Sequence, residues 1–343
     1  MCRFCHYTTS SGQNNLVIRE REKMNYDIFN GDADGIISLL QLRLAQPREA
    51  KLVTGVKRDI KLVEKISAQA SDQLTVLDIS MEKNSHGIEK VLSVGANVFY
   101  ADHHRAGDIP VSELLEAHID LDANTCTALI VDKILDGQFH SWAITAAYGD
   151  NLIARANELA IKAGFDETQR AFMQELGTLI NYNGYGTCVD DLHFDPAELY
   201  KALLKYASPF DVLEDKSSPY FLLKQAYEAD LALALAIKSN HDSDSLSLFE
   251  LPDSSASRRI SGVYGNFLAN QSPDKAHAVL TRNQDNSFTV SLRAPLNNKQ
   301  GAGDICAQFD TGGGRAAAAG INHLLEPDVD VFIKAVEAYY AEK

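Results

Sequence analysis

Two aspartates two positions apart, Asp32 and Asp34, follow the first hydrophobic run of this 343-residue chain. Further candidates come after later runs: Asp78 near the end of LTVLDI, then Asp102, His103 and His104 after NVFY. With a later acid these form an oxygen-rich set carrying some imidazole, a donor mix that suits Mn or Mg better than thiolate-seeking zinc. Two such ions held roughly 3.5 to 4 Å apart would clamp a phosphoryl group and generate a hydroxide near neutral pH. Taken alone, Asp32 reads more readily as a turn or a helix cap. Acids and histidines at successive run ends are much harder to explain as caps, and together they predict a metal site.

Such a set needs a scaffold that brings run ends together. Short apolar runs at 26–29, 51–56, 74–79 and 97–100 alternate with stretches of helical pattern beginning near Gly35, Arg58 and Asn84, which predicts a parallel sheet. In open parallel sheets ligands bind at the carboxyl ends of the strands, and three of the four ends carry the acids or histidines. From 141 to 238 the pattern is helical. The Ser- and Asp-rich tract 239–259, broken by Pro252, reads as a linker. Beyond it, AHAVLT and FTVSLRA read as strands and GDICAQF as a helix. Gly312, Gly313, Gly314 and Arg315, followed by four alanines, read as a loop entering a tightly packed helix. Consecutive glycines let backbone amides approach a phosphate, although a plain tight turn is the bland alternative. Arg293 reads as a second phosphate grip or a surface ion pair.

The length suits two domains at roughly 150 residues each. Hydrophobic residues at 45% and charged residues at 23% are ordinary globular values, and no apolar run approaches the roughly 18 residues of a membrane helix. With 32 basic against 47 acidic residues the net charge is -15, which disfavours electrostatic capture of long nucleic acid. A phosphate substrate must then be held locally, by metal or a few arginines. Five cysteines without framework spacing, and no apolar export segment, make the cytoplasm the expected compartment. Cys2, Cys5 and His6 spell CxxCH, but haem attachment needs export and a structural zinc needs a fourth ligand. Residues 1–23 are polar and unpatterned and read as a disordered extension outside the fold.

The ordered set of motifs resembles the DHH phosphoesterase superfamily, named for the triplet present here as Asp102, His103 and His104. Asp32-x-Asp34-Gly resembles its first motif, Asp78 its second and Asp150 in AAYGDN its fourth, while DANTCTALIVDKIL at 122–135 resembles the segment after the triplet. SLRAP and FDTGGGRAAAAG resemble the accessory DHHA1 domain of the nanoRNase and RecJ branches, so the likeness runs over residues 25–323. It implies an α/β fold: a DHH catalytic domain at 24–190 with a parallel sheet, a helical connector at 191–238, the linker, and a smaller α/β DHHA1 domain at 260–343 facing it across a cleft.

The resemblance also implies roles. Asp78 would bridge two Mn or Mg ions, with Asp32 on the first and Asp34, His103 and Asp150 on the second. His104 would face the scissile phosphate or assist the leaving group, the alternative being a partner that holds His103. Gly312, Gly313, Gly314, Arg315 and Arg293 would bind substrate. Two departures stand out. Where nanoRNase-like members carry a histidine four residues before the first aspartate this chain has Ile28, and where RecJ-like members carry an acid it has Asn30, so the first metal lacks a strong ligand. Arg315 replaces the usual histidine of GGGH. The implied activity is hydrolysis of short oligonucleotides or dinucleotides to mononucleotides, with no membrane partner and with a homodimer compatible. Four readings stay open beside it: a RecJ-like single-strand DNA exonuclease, a cyclic dinucleotide phosphodiesterase, a 3'-phosphoadenosine 5'-phosphate phosphatase, and a non-catalytic nucleotide-binding protein.

Overall fold

The computed structural model describes residues 23–340, so Cys2, Cys5, His6 and nearly all of the expected N-terminal extension lie outside the described residues. The first unit begins with β1 (Asn25–Phe29), α1 (Ala33–Ala45), β2 (Lys51–Val53), β3 (Gln73–Leu77), α2 (Met81–Ser93), β4 (Asn97–Asp102) and β5 (Leu115–Ile119). Its five strands pair in the order β2-β1-β3-β4-β5, all parallel, as the alternating pattern predicts. Alternate β1 side chains serve two cores. Tyr26 and Ile28 pack with Val76 and Tyr100 on one face, and Phe29 joins the helical side with Ile36, Leu40 and Trp142.

Seven helices follow: α3 (Thr127–Ile134), α4 (His140–Gly149), α5 (Ile153–Lys162), α6 (Glu167–Asn183), α7 (Pro196–Leu203), α8 (Pro209–Glu214) and α9 (Pro219–Leu235). The second unit holds β6 (His241–Asp242), β7 (Leu246–Leu251), α10 (Ser255–Gln271), β8 (Ala276–Arg282), β9 (Phe288–Arg293), α11 (Ala302–Cys306), β10 (Gly312–Gly314), β11 (Ala318–Leu324) and α12 (Val329–Tyr340). Its mixed sheet runs β10-β11-β9-β8-β7-β6, with only β7 and β8 parallel. A cluster of Tyr182, Tyr185, Ile260, Tyr264 and Val279 joins the helical layer to this unit. Among the described residues no helix is long and apolar enough to cross a membrane.

Three expectations are corrected. The tract 239–259 is no extended linker: it contains β6, β7 and the start of α10. No α-helix begins near Arg58. Residues 58–66 form tight turns and one 3-10 turn, Val63–Lys65, and Asn84 of α2 takes two of their backbone groups, accepting from Val63 N (3.2 Å) and donating to Ile60 O (2.7 Å). Leu62, Val63 and Ile66 plug the core from that segment. Finally, Gly312–Arg315 does not enter a helix. The glycines form β10, and the alanines turn back into β11, with Arg315 N donating to Ala318 O (2.9 Å) at the hairpin end. Sheet pairing overrides the helix preference of alanine. Gly314, at φ +143 and with an added Cβ only 2.5 Å from Ala319 Cα, permits the tight turn. The phosphate-loop reading thereby loses its helix terminus, while Arg315 gains a fixed perch at a hairpin tip.

Gly31 sets the other critical contact, since a Cβ there would lie 1.9 Å from Gly55 O, in the loop that leaves β2. Gly31→Ala must therefore push that loop away and should destabilise the chain by more than about 2 kcal/mol. Thermal or denaturant unfolding checks this, and a change below about 0.5 kcal/mol, the scale of an ordinary surface substitution, would contradict the close packing.

Candidate metal centre and its two cations

Strand ends deliver the acids and histidines to one place. Asp32 is the N-cap of α1, its Oδ1 accepting from Asp34 N and Gly35 N at 3.1 Å each, so the cap reading holds for it. Asp34 follows in the first turn. Its two oxygens accept from Thr127 N and Ala128 N (2.8 Å each), the otherwise unpaired first amides of α3. Asp78 leaves β3 with φ +58, a conformation few residues other than glycine adopt, and its Oδ1 accepts from Thr127 Oγ1 (3.1 Å). Backbone held this far from the common regions is stored where the surroundings over-determine it.

His103 and His104 follow β4. His103 Nδ1 lies 2.9 Å from Thr125 O, which fixes the proton on Nδ1 and leaves the Nε2 lone pair free. That Nε2 lies 3.4 Å from Asp78 Oδ1 and 3.6 Å from Asp34 Oδ2. His104 Nδ1 bonds Asp102 Oδ1 at 2.7 Å and sits 3.8 Å from Asp78 Oδ1. Ligand atoms of Asp78, His103 and His104 all lie within 4.8 Å of one another. Asp150, at the end of α4, completes the ring of acids.

Two cations stand among these acids, and one was not foreseen. Lys57, in the loop after β2, places Nζ on Asp32 Oδ2. Arg315 reaches across from its hairpin and grips Asp150 with both terminal nitrogens, at 2.8 and 2.9 Å. Its Nη1 also lies 3.2 and 3.3 Å from the two His103 nitrogens. The same strand-end rule that marks the acids marks Lys57, since it follows the second apolar run, 51–56. Arg293, by contrast, is buried and donates to Asn266 Oδ1, Ser291 Oγ, Leu292 O and Gly262 O. It ties β9 to α10 and is no surface ion pair.

Electrostatics divides the acids into two pairs. Burial pushes Asp34 and Asp78 well above the ordinary carboxylate range, and neighbouring carboxylates push further, Asp78 acting on Asp34 and Asp32 on Asp78. Burial acts the same way on Asp32 and Asp150, but Lys57 and Arg315 respectively outweigh it and hold both below that range. Burial, then Arg315 and His104, lower the His103 pKa and favour the neutral imidazole that a metal requires. Asp32 and Asp150 are paired with fixed cations, while Asp34 and Asp78 are not. The residues present therefore suit a divalent cation held by Asp34, Asp78 and His103, with His104 at its edge.

This division predicts a pH signature. Asp34 and Asp78 bind protons more readily in the folded chain than in the unfolded one, so the metal-free protein loses stability as pH rises from the ordinary 3.8 through their raised folded values. Asp32 and Asp150 act only below 3.8. A divalent cation needs the deprotonated pair, so the rise in Tm that Mn produces should grow across the same interval. Melts with and without Mn over a pH series check this, and an increment independent of pH would contradict it.

No family model matches the sequence, and no curated protein matches it. Solved structures do. A DHH-domain member of a family of ribosomal proteins superposes with TM-score 0.59 at 13% identity, over 92% of this chain and 86% of that one. A pGpG-specific phosphodiesterase from Vibrio cholerae gives 0.54 at 14% identity, over 93% and 99%. Mn-bound RecJ from Thermus thermophilus gives 0.55 at 16% identity, over 94% of this chain but only 52% of RecJ. Parallel sheet, helical layer and mixed-sheet unit thus coincide with one known architecture, and the chain has the fold of the DHH-domain proteins.

Proposed function

We propose that the chain is a divalent-metal-dependent phosphoesterase that hydrolyses short oligonucleotides or dinucleotides to mononucleotides. The observation that carries this reading is the cluster of Asp34, Asp78, His103 and His104 at the carboxyl ends of parallel strands, faced by Arg315 from the second unit. A bound cation would supply Lewis acidity and an activated water. Asp34 and Asp78 bring the charge that retains it, and Thr127 fixes both, through its amide and its hydroxyl. Asp102 orients His104 through Nδ1, leaving Nε2 to exchange a proton with the leaving oxygen. Arg315 keeps donor hydrogens beyond the two given to Asp150 and offers them to a phosphate.

Substrate length follows from shape and charge. A cavity of about 490 Å³, within the roughly 300 to 1,000 Å³ of small-molecule sites, opens between the two units. Arg58, Tyr185, Arg258, Ser261 and Asn322 are among its lining residues; it adjoins Lys57, while Asp34, Asp78, His103 and Arg315 do not line it. Outside it the net charge of -15 repels a polyanion. The pGpG phosphodiesterase among the similar folds supports the same size class. Turnover with Mn on a ladder of di- to decanucleotides tests the reading: efficiency should fall beyond a few residues, whereas rates rising steadily with length would favour a RecJ-like exonuclease. The hold of Lys57 and Arg315 on two of the acids favours a second reading, a nucleotide-binding protein without turnover, which metal-dependent product release would eliminate.

A further inference from the structure

We propose that this site takes a single divalent cation, at Asp34, Asp78 and His103, and that the Lys57 ammonium stands permanently on Asp32 in place of a second. The inference rests on the metal-dependent reading above and deepens it. Lys57 is held at both its backbone and its side chain, the latter 24% exposed. Its backbone N donates to Gly184 O (2.7 Å) and its carbonyl accepts from Asn30 Nδ2 (3.3 Å). Beyond Asp32, Nζ donates to Asn181 Oδ1 (3.3 Å) and stands 5.4 Å from the centre of the Tyr185 ring. Two segments, 30–32 and 181–185, therefore hold Lys57 at its backbone and at its ammonium.

The acids it leaves untouched mark where a metal goes. Asp32 has one oxygen capping α1 and the other on Lys57, and Asp150 has both oxygens on Arg315. Asp34 and Asp78 accept from amides, a hydroxyl and the Cys126 thiol, all neutral, and neither is paired with a fixed cation. Ile28 is fully buried in an apolar cluster, and Asn30 gives its Nδ2 to Lys57 O, so the segment after β1 offers a second ion only the neutral Asn30 Oδ1, which is buried without a hydrogen-bond partner, and an engaged Asp32. A divalent ion at Asp32 would also stand against an ammonium in a buried setting, where like charges repel strongly.

Calorimetric titration and Mn electron paramagnetic resonance on the full chain test this. Wild type should bind one Mn per chain and give an uncoupled spectrum. Lys57→Met should admit a second ion, spin-coupled to the first. Two further variants keep the question open should Lys57→Met fail to fold: Asp34→Asn should weaken Mn binding more than about 100-fold, exceeding the loss of a partner that merely orients a ligand, while Asp32→Asn should leave stoichiometry and affinity within about threefold. Two coupled ions in the wild type, one ion in a folded Lys57→Met, or lost binding in Asp32→Asn would each overturn the proposal. Two ions with turnover would do so while leaving the phosphoesterase reading intact. One ion without turnover on any phosphoester would leave this inference standing and remove that reading.

Discussion

Asp78→Asn should abolish hydrolysis while leaving the chain folded. Asparagine is chosen because the residue holds φ +58, which Asn tolerates and Ala does not, so the variant removes charge without adding backbone strain. The Thr127 hydroxyl keeps an acceptor in the amide oxygen. What goes is a carboxylate that neither Lys57 nor Arg315 neutralises, and with it charge that retains the cation. Loss should exceed the about 10- to 100-fold typical of removing a partner behind a metal ligand, and should approach the background rate. Circular dichroism and a melt establish folding. Turnover near the wild-type rate would remove Asp78 from the site.

Arg315→Ala should raise KM more than it lowers kcat. If the guanidinium grips a non-reacting phosphate, that contact exists in both ground and transition states, so its loss weakens binding uniformly. A charge-assisted hydrogen bond of about 1.5 to 3 kcal/mol corresponds to about ten- to hundredfold in kcat/KM. The variant also frees Asp150, which Arg315 holds below its ordinary pKa, so that carboxyl should titrate higher. Arg315→His should recover part of the loss. An unchanged KM in the alanine variant would make Arg315 a tie between the two units and nothing more.

The sequence made the acids legible because a parallel sheet converts chain order into position: whatever follows each buried run arrives at one edge. Asp32, Asp34, Asp78, His103 and His104 obey that logic, and they meet where it puts them. Lys57 obeys it as well, yet a lysine after a strand is the commonest of surface residues and announces nothing until Asp32 is seen beneath it. Segment 58–66 misleads because Ile60, Val63 and Ile66 imitate helical spacing, while a side chain distant in sequence, Asn84, takes two of its backbone groups. The glycine-alanine tract misleads for a related reason. Its local preference is helical, and only pairing with β9 and the confinement of Gly314 make it a hairpin. β5, LEAHI, escapes notice because it is a half-buried edge strand without a continuous apolar run.

The most direct measurement is product release from a short linear dinucleotide by wild type and Asp78→Asn side by side, each with Mn and with a chelator. Wild type with Mn should release mononucleotides at a rate proportional to enzyme, and the other three mixtures should stay at background. Equal release with chelator present, or by a folded Asp78→Asn variant, would contradict a metal-dependent phosphoesterase built on this cluster.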